Sequence, residues 1–293
     1  LLDKFFGSQK IRLYAWLSLV SQILIVVTGG AVRLTGSGLG CPTWPECKPG
    51  SIVNVPEQGL HGVIEFGNRV LTFVLLIVSI ATFVTVLRLG KGNRKGFFWT
   101  SFALGLGILA QAILGGITVL TGLNSWIVGA HFLVSMVLIV VATFLVWYSR
   151  STPRLEHNKT ISRISLAMVP TAALAIVIGV ILTGSGPHAG DADTPRNGLD
   201  SLLVSHYHSY PAYLLLGLTL LQLFLRVTKT GKRSAGYSLA LLGVLAFQVV
   251  LGLTQIWLGV PIILVGLHML GASVLASVIT YQALLNRAWV GSK

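Results

Sequence analysis

The chain has 293 residues, of which 54% are hydrophobic and 10% charged, and its mean hydropathy is +0.81. Such a balance excludes an ordinary soluble domain and points to a polytopic membrane protein. The net charge of +13 would suit a nucleic-acid binder, but the basic residues sit in short loops between apolar runs, so no nucleic-acid partner is expected.

Apolar runs of about 20 residues, enough to cross a bilayer, lie at about 12–34, 62–87, 97–121, 125–148, 162–183, 203–225, 236–258 and 261–284. They are too continuous for a transmembrane barrel, so the expected fold is an all-α integral membrane protein with eight transmembrane helices. The first run is long and lacks a small-residue cleavage motif, and it is read as a span rather than a cleaved signal. With the N-terminus inside, the cytoplasmic segments hold Lys4, Lys10, Arg12, Arg88, Lys91, Arg94, Lys95, Arg150, Arg154, Lys159, Arg163, Arg226, Lys229, Lys232, Arg233, Arg287 and Lys293, which is 17 of the 21 basic residues. The positive-inside rule then places both termini in the cytoplasm of a multi-pass cell-membrane protein in contact with lipid.

Arg33 ends the first run, and the first outer loop carries Cys41 and Cys47 in "CPTWPEC". An oxidising exterior permits a disulfide there. A zinc pair is disfavoured, because no second pair of ligands lies near in the sequence. The second run opens with "HGVIEFGNR", which sets His61, Glu65 and Arg69 at four-residue steps with Asn68 beside them. Glu65 is the one carboxylate that the expected spans contain. An ionisable group in a span is costly and marks a functional site by default. An ion pair with Arg69 in the favourable helical order is the structural alternative, and the two are compatible.

The chain reads as two copies of a four-helix unit, pseudo-symmetric bundles at 1–155 and 156–293. "TGSG" follows the first run at Thr35 to Gly38 and the fifth at Thr183 to Gly186. Gln111, Gly115 and His131 recur as Gln248, Gly252 and His268, each shifted by 137. Aligning the second and sixth runs sets Glu65 against Ser205, Asn68 against His208 and Arg69 against Ser209. The topology gathers His61, His131, His206, His208 and His268 at the outer starts of the even-numbered spans. Imidazoles on facing helices of a bundle are a usual means of holding haem iron, and His208 with His268 form that pair. His206, two residues from His208, points to another side and is the reserve ligand. His157 reads as an exposed cytoplasmic residue and His188 as an ordinary residue of an outer loop.

Together these motifs resemble the haem A synthases of bacteria and mitochondria over nearly the whole chain, and "GLGCPTWPEC" with "EFGNR" looks most like the actinobacterial branch. The resemblance implies oxidation of the C8 methyl of haem O to the formyl group of haem A. It also implies a haem b cofactor in the second half on His208 and His268, and a substrate half around Glu65 and His131. Glu65 would act as proton acceptor, Arg33 and Arg69 would pair with haem propionates, and the cysteine pair would shape the outer pocket or take part in redox. Implied partners are haem O, a haem O synthase as its supplier, and an electron acceptor left unidentified. One position departs: where the family has histidine in the second span, this chain has Asn68. His61, one turn outside Glu65, is the expected replacement as iron ligand, and five-coordinate iron on His131 alone is the alternative. The competing functions are a bis-histidine cytochrome passing electrons to or from quinone and, less well matched by polar residues at the outer end, a repeat-built transporter.

Overall fold

The computed structural model describes residues 6–90, 94–150, 158–230 and 232–287. His157, Lys4, Lys91, Arg154 and Lys293 lie outside the described residues. Among those described, eight helices are long and apolar enough to span a membrane. They are α1 (Ile11–Leu34), α2 (Gly59–Leu87), α3 (Arg94–Leu120), α4 (Ser125–Tyr148), α5 (Lys159–Ser185), α6 (Ser201–Lys229), α7 (Lys232–Trp257) and α8 (Ile262–Arg287). No more than 39% of any span's apolar window is buried within the protein. Residues such as Phe73, Ile77, Phe224 and Val250 stand outward, the surface that hydrocarbon covers.

Helix ends follow their capping residues. Asp200 accepts hydrogen bonds from the amides of Leu202 (2.8 Å) and Leu203 (3.1 Å), so α6 begins before its apolar run does. The two "TGSG" copies are not placed alike, which corrects the expectation that both follow a helix. Gly36 adopts φ +67° and the Ser37 amide bonds to the Val32 carbonyl at 2.9 Å, a Schellman-type stop for α1. Gly184 makes no such turn, and α5 runs on to Ser185. The short α3–α4 and α7–α8 turns do match: Gly122 and Leu123 have positive φ, as do Gly259 and Val260, again 137 residues on.

By contact the chain falls into two compact units: Leu1–Arg150 with Thr183–Leu199, and Ser151–Leu182 with Asp200–Lys293. In the first, α1 packs on α2, α2 on α3, α3 on α4 and α4 back on α1, a closed ring. The outer segment Thr183–Leu199 is tied to this ring. The Gly38 amide bonds to the Gly190 carbonyl (2.8 Å), Ser125 Oγ to the Pro195 carbonyl (3.1 Å), and Arg33 to the carbonyls of His188 (2.8 Å) and Thr183 (2.9 Å). In the second unit α6 packs on α7 and α7 on α8. There α5 joins through Ile161, Ile164, Met168 and Ala172, which meet Leu215, Leu241 and Leu275 in one apolar core. Buried amides and hydroxyls bond each other at the end of the unit where α5 begins and α8 ends: Gln222 to Ser165 and Ser238 to Gln222, both at 2.6 Å, and Asn286 to Ser165 at 2.7 Å. Polar groups so far from water need these partners.

Candidate functional site

The first unit's site forms where the outer cysteine loop lies on the start of α2. Cys41 and Cys47 are joined by the expected disulfide, and both are fully buried. The loop comes so close to α2 that a Cβ on Gly40 would lie 2.2 Å from the His61 carbonyl oxygen. Because that neighbour is helix backbone, Gly40→Ala is expected to push the loop off α2 and to destabilise the protein by about 1–3 kcal/mol. A thermal melt of the purified variant checks it, and an unchanged Tm would mean that the loop is not seated this way.

Glu65 is buried under this loop, with 5% of its surface exposed. Its Oε2 accepts from the Cys41 amide at 2.6 Å, and its Oε1 accepts from Arg69 Nη2 (2.6 Å) and Nε (3.2 Å). Arg69 Nη2 also donates to the Cys41 carbonyl (2.9 Å), and its Nη1 to the Glu46 carbonyl (3.3 Å). The carboxylate is thus held by one main-chain donor on Oε2 and by two donors of one guanidinium on Oε1. The disulfide loop supplies the first donor and, through its carbonyls, orients the second.

The polar stripe of α2 does not converge on one point. His61 turns outward, its Nδ1 paired with Ser37 Oγ at 2.8 Å. Its exposed ring lines a cavity of about 660 Å³ beside the cysteine loop with Gly40, Lys48, Glu57, Gln58 and Asp191. Asn68 turns to α1, where Thr28 Oγ1 donates to its Oδ1 at 2.8 Å and Gly29 lies against its Nδ2. Arg33 is engaged by the outer segment and Arg69 by Glu65 and the loop, so a propionate would compete with bonds each already makes. His131 on α4 stands against Gly115 on α3; Gln111 holds its carbonyl at 2.9 Å, and its Nδ1 is buried without a protein partner.

In the second unit the rings of His208 and His268 face each other with centroids 6.3 Å apart. His208 Nδ1 donates to the Ala175 carbonyl at 2.9 Å, which fixes the tautomer and leaves Nε2 as the lone-pair nitrogen. A Cβ on Gly179 would come within 2.9 Å of the His208 ring, and one on Gly252 within 3.6 Å of the His268 ring. His268 Nδ1 is buried without a protein partner, and Gln248 holds the His268 carbonyl at 3.1 Å. Two imidazoles facing across a glycine-lined gap, one with its tautomer set, fit a metal held between them in a flat macrocycle. His206 is exposed on another side of α6. Among the described residues no cluster of three or more His, Cys, Asp or Glu could hold a bare metal ion.

Several supporting groups escape the residue pattern. Gly29, Gly179 and Thr28 were visible only as small residues at the level of the polar ones, and the Ala175 carbonyl carries no sequence signal, since every residue has one.

An eight-span helical membrane protein with a facing histidine pair in one unit and a buried, loop-clamped carboxylate in the other is the class that this fold and site define. A family model described as cytochrome oxidase assembly protein matches residues 12–280, and the chain belongs to that family. It is similar to the haem A synthase of Beijerinckia indica subsp. indica, 28% identical over 313 residues with 87% of each chain covered. The haem A synthase of Methylobacterium sp. strain 4-46 is 29% identical over 322 residues, covering 89% of this chain and 88% of that one. That of Geobacillus thermodenitrificans is 30% identical over 149 residues, 50% of this chain and 45% of its relative.

Proposed function

We propose that the chain is a haem A synthase, oxidising the C8 methyl of haem O to a formyl group. Similarity along 87% or more of the chain to proteins of that name supports the reading, and the observation that carries it is the buried carboxylate of Glu65, bound by Cys41 and Arg69 in the unit without the facing pair. An electron-transfer cytochrome has no work for such a group.

His208 and His268 would hold a resident haem b, and His206 is not among its ligands. Such a haem supplies one-electron redox chemistry within the membrane. The first unit, Leu1–Arg150 with Thr183–Leu199, receives haem O, whose iron His131 binds. Oxidation of a methyl to a formyl group removes protons as well as electrons, and the added oxygen enters with hydrogen attached. Glu65 takes up a proton there as water or hydroxide adds to the oxidised carbon. Arg69 and the Cys41 amide hold the carboxylate in place and aim it. The loop and its disulfide hold bulk water away from it. Arg33 ties the outer segment over the same unit. The protein lies in the cell membrane with both termini cytoplasmic and both haem sites towards the outer face; a haem O synthase supplies the substrate, and a membrane acceptor takes the electrons.

The test is expression in a host that makes haem O and lacks its own haem A synthase, followed by extraction and chromatography of the haems. Haem A is expected with the wild-type chain, and its absence under every haem O supply would sink the proposal.

A further inference from the structure

The two histidine levels are built from the same contacts with one exchange. In the second unit His268 stands against Gly252 with its carbonyl held by Gln248, and His208 stands against Gly179 on α5. In the first unit His131 stands against Gly115 with its carbonyl held by Gln111, and the residue against the glycine of α1, Gly29, is Asn68. Asn68 thus holds, within its own bundle, the place that His208 holds in the other.

The exchange changes what the position can offer a metal. Imidazole presents a basic nitrogen to iron, whereas an amide has none; its NH2 only donates, and its neutral oxygen suits hard cations. Asn68 is further occupied by Thr28 at 2.8 Å. His61 does not make up the loss. Its ring is exposed, bonded to Ser37 and turned to a cavity at the cysteine-loop end, while Glu65, bonded to the loop and to Arg69, stands between its level and that of Asn68.

We infer that the iron of the substrate haem is bound by protein from one side only, by His131, and keeps an open coordination position on the side of Asn68 that accepts a small neutral ligand. The inference rests on the substrate reading of the first unit. It makes the two haems chemically unlike: the resident one is closed by two imidazoles, and the substrate one is open, with the Asn68 amide placed to donate a hydrogen bond to whatever occupies the position.

The experiment uses the full-length protein purified with haem O loaded, reduced, and titrated with carbon monoxide, with magnetic circular dichroism to count high-spin and low-spin haem. One haem per chain is expected to be high-spin and to take up CO, and the other to be low-spin and inert. Asn68→His is expected to turn the open haem low-spin and to weaken its CO uptake by about tenfold or more. His61→Ala is expected to change neither spin state nor uptake. Two low-spin, CO-inert haems in the wild type would overturn the inference, and so would a CO site that opens only in His61→Ala; haem A made by the same preparation would show that the substrate reading itself survives. Material that retains a single haem and makes no haem A would overturn both together.

Discussion

Glu65→Gln is expected to abolish measurable haem A formation while the resident haem and the fold persist. The substitution keeps the shape of the side chain and removes its charge and half of its accepting capacity. Glu65 accepts from Cys41 on one oxygen and from Arg69 on the other. A glutamine amide can meet one of these with its oxygen, and its NH2 then faces another donor. The proton acceptor is lost as well, and general-base catalysis contributes roughly 100-fold to 10,000-fold. The measurement is haem A per chain after extraction, with the absorption spectrum of the resident haem as the control for folding. A glutamine variant that makes haem A at the wild-type rate would leave Glu65 as no more than the partner of Arg69.

The second large effect is expected at the facing pair. His208→Ala or His268→Ala removes one of two rings that stand 6.3 Å apart, and the gap left behind has no third ligand to fill it among the described residues. Loss of even an outer-shell partner of a metal ligand costs about 10- to 100-fold in affinity, so loss of a ligand should cost at least that. The purified variants are expected to lose the low-spin spectrum of the resident haem and to retain less than a tenth of it after washing, by a pyridine haemochrome measurement. His206→Ala, on the exposed side of α6, is expected to leave both unchanged. Retention of a low-spin haem in His208→Ala, with its loss in His206→Ala, would reverse the assignment.

Much of this architecture was legible in the residues, for reasons that differ from feature to feature. The spans could be read because a bilayer imposes length and apolarity on every helix that crosses it. The cysteine pairing was legible because the chain has two cysteines, so each has one possible partner within it. His208 and His268 stood out because a repeat with a constant offset singled out the helices that carry them. The stripe of α2 was harder. Four-residue spacing puts His61, Glu65 and Arg69 on one flank, but α2 meets several neighbours along that flank: Ser37 beyond the end of α1, the cysteine loop, and α1 itself. What a side chain does there depends on the height at which each neighbour arrives, and periodicity carries no information about that height. The role of Arg33 was hidden in the same way, since its acceptors are carbonyls about 150 positions further along the chain.

Arg33 and Gly38 fasten to the first unit a stretch, Thr183–Leu199, that the ribosome delivers only with the end of the fifth span and the segment after it. The amino-terminal bundle is therefore unfinished when its own four helices have entered the membrane, and contacts of such long sequence separation form late. During synthesis its outer mouth stays uncovered until α5 has crossed and its trailing segment has folded back. Completion of the first bundle thus waits on a single helix, α5, that belongs to the second.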